Sequence, residues 1–437
     1  MKKILAGILS IISVLSLTAC RERVYLSPAS PVTSDTSDTS NSGNNYKDEP
    51  TTHVTVEHKN IAPLEITGDN VLNSVRIFDA MYEGKDRAMF SPLSLNMCLG
   101  MVEAGAAGDT KTALDNYLGN TDYAAFAEGY MERAKDFNFE ANGHSKYKNV
   151  FEIANSFWAS DSRPFNEDYK KRVTENFAAE IENVDFIKSG ETAGKINGWV
   201  NEKTHKMIPA IVDPSQLTED TAAVLVNTVY FESAWDDDWY IPRDPETFTN
   251  ADGSTVEIPL MHNGASGYFE NDSATAFSCG YKNGMEFIGI LPKKDGDFTL
   301  ESLDISSLLE SRSYQYDVIA SMPKLDFEST FPLTDALKAA GLDVAFDPEK
   351  SDFTPMEGNS DEEHFYISEV IQKTKLELDE EGTRAAAVTA AIMNDAAEAM
   401  LPEPREIKEV FLNRSFAFLI YDHEADQIVF MGKVTKM

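Results

Sequence analysis

Basic residues are scarce in this chain. Lys and Arg number 38 against 73 Asp and Glu over 437 residues, a formal net charge of -35. Phosphate backbones and anionic lipid surfaces repel such a chain, so nucleic acid is not expected as a partner and no basic patch leads to a membrane. Cysteine is nearly absent. Cys20, Cys98 and Cys279 are the only three, too few for a disulfide framework. Cys98 lies in an apolar helical run and reads as a small buried hydrophobe. The seven histidines are scattered, with no HExxH and no metal-ligand spacing, so neither a metal nor another cofactor is expected. A GxSxG nucleophile elbow and a paired acid and base are both missing, which argues against a surface hydrolase.

Met1–Cys20 has the form of a targeting segment. Lys2 and Lys3 precede an apolar stretch, Ile4–Leu17, too short to span a bilayer comfortably. It ends Leu17-Thr18-Ala19-Cys20, which resembles a bacterial lipobox; the alternative is a plain secretion signal. A lipidated Cys20 would anchor the protein outside the cytoplasmic membrane, at the cell surface, without spanning it. Residues 21–66 are rich in Ser, Thr, Asp, Asn and Pro, with Asp-Thr-Ser repeated over Asp35–Ser40, and read as a disordered linker. Residues 67–437 are expected to form one folded domain.

Within that domain the periodicity predicts a helix over Asn70–Met81 and a buried helix entered at Ser91-Pro92. Helices are expected at Phe165–Phe177, Ile196–Lys206 and Thr334–Ala340, the last stopped by Gly341. Val150–Ala159 alternates as a strand. Ala222–Tyr230 is continuously apolar, as in a strand covered on both faces, with Asn227 a buried polar group in need of partners. Further strands are expected at Val256–Met261, Phe287–Leu291, Asp317–Pro323, Tyr366–Asp379, Ser415–Tyr421 and Gln427–Val434. Helices dominate the first half and strands the second, so the class is α+β.

The most informative stretch is Glu377–Met393, LELDEEGTRAAAVTAAIM from Leu376. Propensity alone makes Ala385–Ala391 helical. Three features favour an extended reading: no helical apolar stripe, Gly382 where a helix would want a stronger cap, and Pro402 and Pro404 soon after. With period two, Thr383, Ala385, Ala387, Thr389, Ala391 and Met393 share one face, and Arg384, Ala386, Val388, Ala390, Ile392 and Asn394 the other. Arg384 needs water, so the small-residue set would face a core. Such a segment can be a loop that later slides between existing strands.

Taken together, FSPLSLNMCLGMVEAGAAGDT, INGWVNEKTHKMIPAIV, LVNTVYFESAW, LDEEGTRAAAVTAA and NRSFAFLIYDHEADQIVFMGKV resemble the serpin family, in the right order, over residues 67–437. The resemblance implies three β-sheets, about eight or nine helices and an exposed reactive-centre loop. It also implies a suicide-substrate inhibitor, not an enzyme: a protease cuts the loop, forms an acyl-enzyme, and is dragged along as the loop inserts into the central sheet. Serine proteases would be the covalent partners, with cysteine proteases a second class, and the inhibitor would act as a monomer. By resemblance the hinge is Glu380, Gly382, Thr383, Ala385, Ala386 and Ala387. Ser91, Ser94, Asn227 and Gln372 match the polar cluster, or shutter, beneath the sheet's parting point. Trp235 matches the tryptophan of the breach, where insertion begins. The family's spacing from Glu380 puts the cut at Ala396-Ala397, while counting back from Phe416 puts it near Pro402–Pro404. Met393 and Met400 are alternative positions. Alanine before the cut suits elastase-like or subtilisin-like proteases, and no Lys or Arg lies between Arg384 and Arg405 to suit a trypsin-like one. Departures from the family pattern are Gln372 for a frequent His, Glu232-Ser233 for Lys-Gly, and Ser415 for Pro. A serpin cut only as a substrate, or a surface binding lipoprotein, are the rival readings.

Overall fold

The structure is a computed structural model. It describes residues 60–67, 69–82, 84–119, 121–138, 148–237, 239–358, 365–383 and 405–437. The chain divides into two units, Met1–Thr52 and His53–Met437, and all described residues belong to the second. Cys20, the Ala385–Ala391 run, Met393, Ala396-Ala397 and Met400 lie outside the described residues.

The helix Pro92–Glu103 is the axle of the fold. Ser91 caps it by accepting from the Ser94 amide, Pro92 opens it, and every residue from Pro92 to Val102 is buried. Its sequence is apolar on all sides because it has sheet or helix on all sides. Leu93 and Met97 join one core with Phe231, Leu376 and Phe418, while Leu95, Leu99 and Val102 join another with Phe78, Phe331 and Val370.

The described residues form three main sheets, two of which pack on this helix. The central one has six strands in the order Leu325–Pro332, Glu369–Asp379, Gly382–Thr383, Ala223–Ala234, Val150–Ser160 and Glu180–Val184. A second six-stranded sheet holds the paired strands Phe416–Asp422 and Gln427–Val434 inside its edge strand Arg87–Phe90. The third has three strands, Leu260–Ala265, Asp317–Pro323 and Ile407–Phe411, and a short pair, Glu246–Thr249 with Thr255–Ile258, stands apart. The described residues include eight α-helical segments. The outer face of the central sheet is covered over its lower half by the helix Ser189–Lys203, whose Ile196, Trp199 and Val200 pack on Trp158, Val224, Val226 and Ile371.

Several boundaries differ from expectation for local reasons. Helix Glu167–Phe177 starts later than Phe165 because Asn166 caps it, accepting from the Asp168 and Tyr169 amides. The Ser189–Lys203 helix ends before His205 and Lys206, both at positive φ. Thr334–Leu337 opens into a wider turn over Lys338–Leu342, where Gly341 takes φ 87°. The strand expected from Tyr366 begins at Glu369. Helices Gly108–Tyr117 and Tyr123–Asp136 and strand Leu325–Pro332 carried no signal strong enough to be read.

One buried ion pair ties Tyr123–Asp136 to the closing hairpin. The fully buried Asp422 carboxylate accepts from Arg133 Nε at 2.9 Å and Nη2 at 2.7 Å, and from the Tyr130 hydroxyl at 3.1 Å. Asp422→Ala leaves a guanidinium and a phenol facing a vacated site, so it should cost about 3 kcal/mol, read as a lowered denaturant midpoint.

Candidate functional site

The central sheet is closed at one end and parted at the other. At the closed end Glu369–Gln372 pairs directly and in parallel with Val224–Asn227. Further along, the two strands separate. Gly382-Thr383 lies between them, Gly382 pairing with Asp379 and Ala234, and Thr383 with Leu378 and Ser233. The strands are therefore two spacings apart there, roughly 10 Å, and one spacing, about 5 Å, at Gln372. The result is a tapering slot with its wide mouth already filled.

The sequence of the hinge explains how it fills. Asp379 ends the long strand, and its Oδ1 accepts from the Glu381 amide at 3.0 Å. Glu380 and Glu381 form a two-residue turn, so Gly382-Thr383 runs back antiparallel to the strand it just left. An acidic residue before such a turn and a glycine after it are what a tight reversal favours. Glu380 is in an ion pair with Lys324. Gly382 is required by close approach: a Cβ there would sit 2.4 Å from the Ser233 carbonyl oxygen and 2.8 Å from Ala234 Cα. The segment expected to be a loop outside the sheet thus contributes its first two residues to the sheet in the uncut chain.

Trp235 forms the roof of the mouth. Its indole N–H donates to the Asp379 carbonyl at 2.8 Å and its backbone N–H to Glu381 O at 3.1 Å. The ring stacks on Tyr281 at 4.3 Å and 13°. The Tyr281 hydroxyl is 2.7 Å from Thr383 Oγ1, and Thr383 is 3% exposed. Burial raises the Tyr281 pKa strongly, with the Thr383 hydrogen bond a smaller opposing effect, so the phenol stays neutral. Thr383 therefore points to the inner face, as the period-two reading expects. Tyr281 and Lys324 were not found from the sequence; neither falls in a stretch whose pattern singles out one residue.

At the closed end Ser91, Ser94, Asn227 and Gln372 meet in one buried network. Gln372 Oε1 accepts from the Ser91 amide at 2.6 Å, and Gln372 Nε2 donates to Ser91 O at 3.0 Å and Asn227 Oδ1 at 3.2 Å. Asn227 Nδ2 donates to Ser94 O at 3.0 Å and to Asn155 Oδ1 at 2.6 Å. Ser94 Oγ donates to Asn227 Oδ1, and Ser91 Oγ donates to Val429 O at 2.6 Å. A carboxamide at position 372 bonds both the amide and the carbonyl of Ser91, and it does not titrate. Asn155 was missed; its only signal was a polar residue flanked by apolar ones within a buried strand. Among the described residues no group of three or more His, Cys, Asp or Glu side chains could hold a metal, and no helix is long and apolar enough to cross a membrane.

The molecule is α+β, and two central strands of one six-stranded sheet part around Gly382-Thr383, the start of the loop. The sequence model for Serpin (serine protease inhibitor) matches residues 73–437, and the chain belongs to the serpin family. Neuroserpin of Homo sapiens is 29% identical over 402 residues, covering 88% of this chain and 92% of neuroserpin. An uncharacterized serpin-like protein of Thermococcus kodakarensis is 30% identical over 376 residues, 84% of each chain. The crystal structure of tengpin, a thermophilic serpin, in the native state superposes with a TM-score of 0.72 at 26% identity, covering 87% of this chain and 98% of tengpin.

Proposed function

We propose that this serpin is an inhibitory one, a suicide substrate for serine proteases with small specificity pockets, elastase-like or subtilisin-like. The cut falls at Ala396-Ala397, with Met393 and Met400 as alternatives, and the freed segment fills the slot as a sixth long strand. Residues 1–20 are a lipoprotein signal, residues 21–66 a linker, and Cys20 carries a lipid that holds the monomeric inhibitor at a bacterial cell surface.

The observation that carries this reading is the double pairing of Gly382-Thr383. Its register matches that of the closed end, since Thr383 opposes both Ser233 and Leu378, and 378 stands to 233 as Gln372 stands to Asn227. Continued in step, Ala385 enters between Phe231 and Leu376, Ala387 between Val229 and Thr374, and Thr389 between Asn227 and Gln372. Phe231, Val229 and Leu376 already fill the inner layer, which leaves room for methyl groups and little more. Thr389 brings a hydroxyl to the rung formed by two carboxamides, Asn227 and Gln372.

Energetically, each new ladder hydrogen bond gives about 1 kcal/mol, and ordering each residue costs ~1–2 kcal/mol. The inward alanines bury little. Most of the drive must therefore come from the uncut sheet, whose two central strands, among the described residues, pair with each other only from Glu369 to Gln372. The test is to mix the protein with elastase-like and subtilisin-like proteases and run a denaturing gel. A covalent band and a released peptide starting at Ala397 are expected. Cleavage with no covalent band would leave a substrate, not an inhibitor.

A further inference from the structure

The phenol that meets Thr383 comes from another sheet. Tyr281 follows the strand Ala274–Gly280, at the tip of its hairpin with Glu286–Pro292 in the second six-stranded sheet. The backbone there is pinned across the turn. The Tyr281 amide donates to Met285 O at 2.8 Å, and Tyr281 O accepts from the Gly284 amide at 2.8 Å. Gly284 takes φ 89°, a conformation that costs glycine little and lets the turn close. The Lys282 amide donates to Ala234 O at 2.9 Å, which ties the hairpin tip to the central sheet. The ring is fully buried, stacked on Trp235 at 4.3 Å and edge-on to Phe231 at 5.0 Å and 74°. With backbone and ring both fixed, the hydroxyl stands at one point on the inner face of the mouth.

That point is where the first inward side chain of the hinge lies. Among the described residues, the Tyr281 and Thr383 hydroxyls bond to each other, at 2.7 Å, and to nothing else. We propose that Tyr281 is a positioning residue for strand insertion: its hydroxyl holds Thr383 in the mouth and in register before any cut, so that insertion starts from a strand end already in place. The inference rests on the inhibitory reading above.

Two physical arguments support it. Both hydroxyls are buried, and a buried hydroxyl is costly to leave unmatched, so each favours the position of the other. A hinge one residue out of step would bring Gly382 to the phenol, with no side chain to meet it. Second, the entropic cost of starting a strand falls on its first residues, ahead of the ladder bonds that offset it. Gly382 and Thr383 are paired on both sides in the uncut chain, so that step is complete before a protease arrives. A contact that keeps them there favours insertion over release of the cut loop.

The test uses the full chain with an elastase-like protease and reads the ratio of cleaved to trapped inhibitor. Tyr281→Phe and Thr383→Val each remove one hydroxyl and nearly keep the shape. Each should raise the ratio about fivefold, the size of one net hydrogen bond. The double variant should do no more than either single one, since the two hydroxyls form a single contact. Thr383→Ser, which restores the hydroxyl, should recover most of the trapping lost in Thr383→Val. In the uncut chain the Gly382 and Thr383 amides should exchange with solvent about fivefold faster in Tyr281→Phe, a readout that needs no protease. Trapping by the parent protein with an unchanged ratio in both single variants, effects that multiply in the double variant, or unchanged exchange at both amides would overturn this inference alone. Absence of trapping by the parent protein would overturn the inhibitory reading, and this inference with it.

Discussion

Thr383→Arg is expected to convert the protein from inhibitor to substrate. Thr383 is the first inward side chain of the slot, almost fully buried, with its hydroxyl 2.7 Å from that of Tyr281. Tyr281 is itself fixed by stacking on Trp235, so the inner layer cannot yield to a longer side chain. An arginine there must either bury an unpaired charge or keep the hinge out of the mouth. Burying it costs about 3 kcal/mol or more, and each 1.4 kcal/mol is about tenfold. The trapped fraction should therefore fall by about a hundredfold while loop cleavage continues at its normal rate. A denaturing gel at several ratios of inhibitor to protease reads this directly, and undiminished trapping would show that Thr383 does not have to enter first.

Asn227→Ala should have the second largest effect, on the uncut molecule. Asn227 is 2% exposed and bridges Ser94, Asn155 and Gln372. Its loss removes a donor from the Ser94 carbonyl and from Asn155 Oδ1, and an acceptor from the Ser94 hydroxyl and Gln372 Nε2. Stranded polar atoms cost ~1–3 kcal/mol each, and part of that returns as the neighbours rearrange. A net loss of about 3 kcal/mol is expected, lowering the thermal midpoint by about 4 °C for a domain of this size. The damage should concentrate at the closed end of the slot. Amides from Glu369 to Gln372 should exchange with solvent about a hundredfold faster, since their pairing to Val224–Asn227 opens more often. Unchanged protection there would mean that other contacts hold the sheet shut.

Much of this was legible in the residues, for identifiable reasons. The Pro92–Glu103 helix is buried on every side from Pro92 to Val102, and Ala222–Tyr230 is apolar on both faces apart from Asn227 and Thr228; such runs have few alternative folds. Thr383 took the inward face because period-two parity fixes it once Arg384 is assigned to water. The four polar residues of the closed end were read by resemblance, and the structure brings them together. Other features were hidden because they depend on register across distant strands. That Gly382-Thr383 already sits in the sheet follows from a turn at Glu380-Glu381 and from Ser233 and Ala234 accepting a bare backbone. Tyr281 matters only because the Trp235 ring lies on it. Glu232 stood out in the sequence only as a departure from the family pattern.

Thermal unfolding of the protein before and after a single cut in the loop tests the central claim most directly. A loop that becomes a full strand adds ladder bonds on both sides of the slot and closes the tapered gap. The cut protein should then resist heat far better than the uncut one, with a midpoint raised by tens of degrees. An equal or lower midpoint after cleavage would contradict the account.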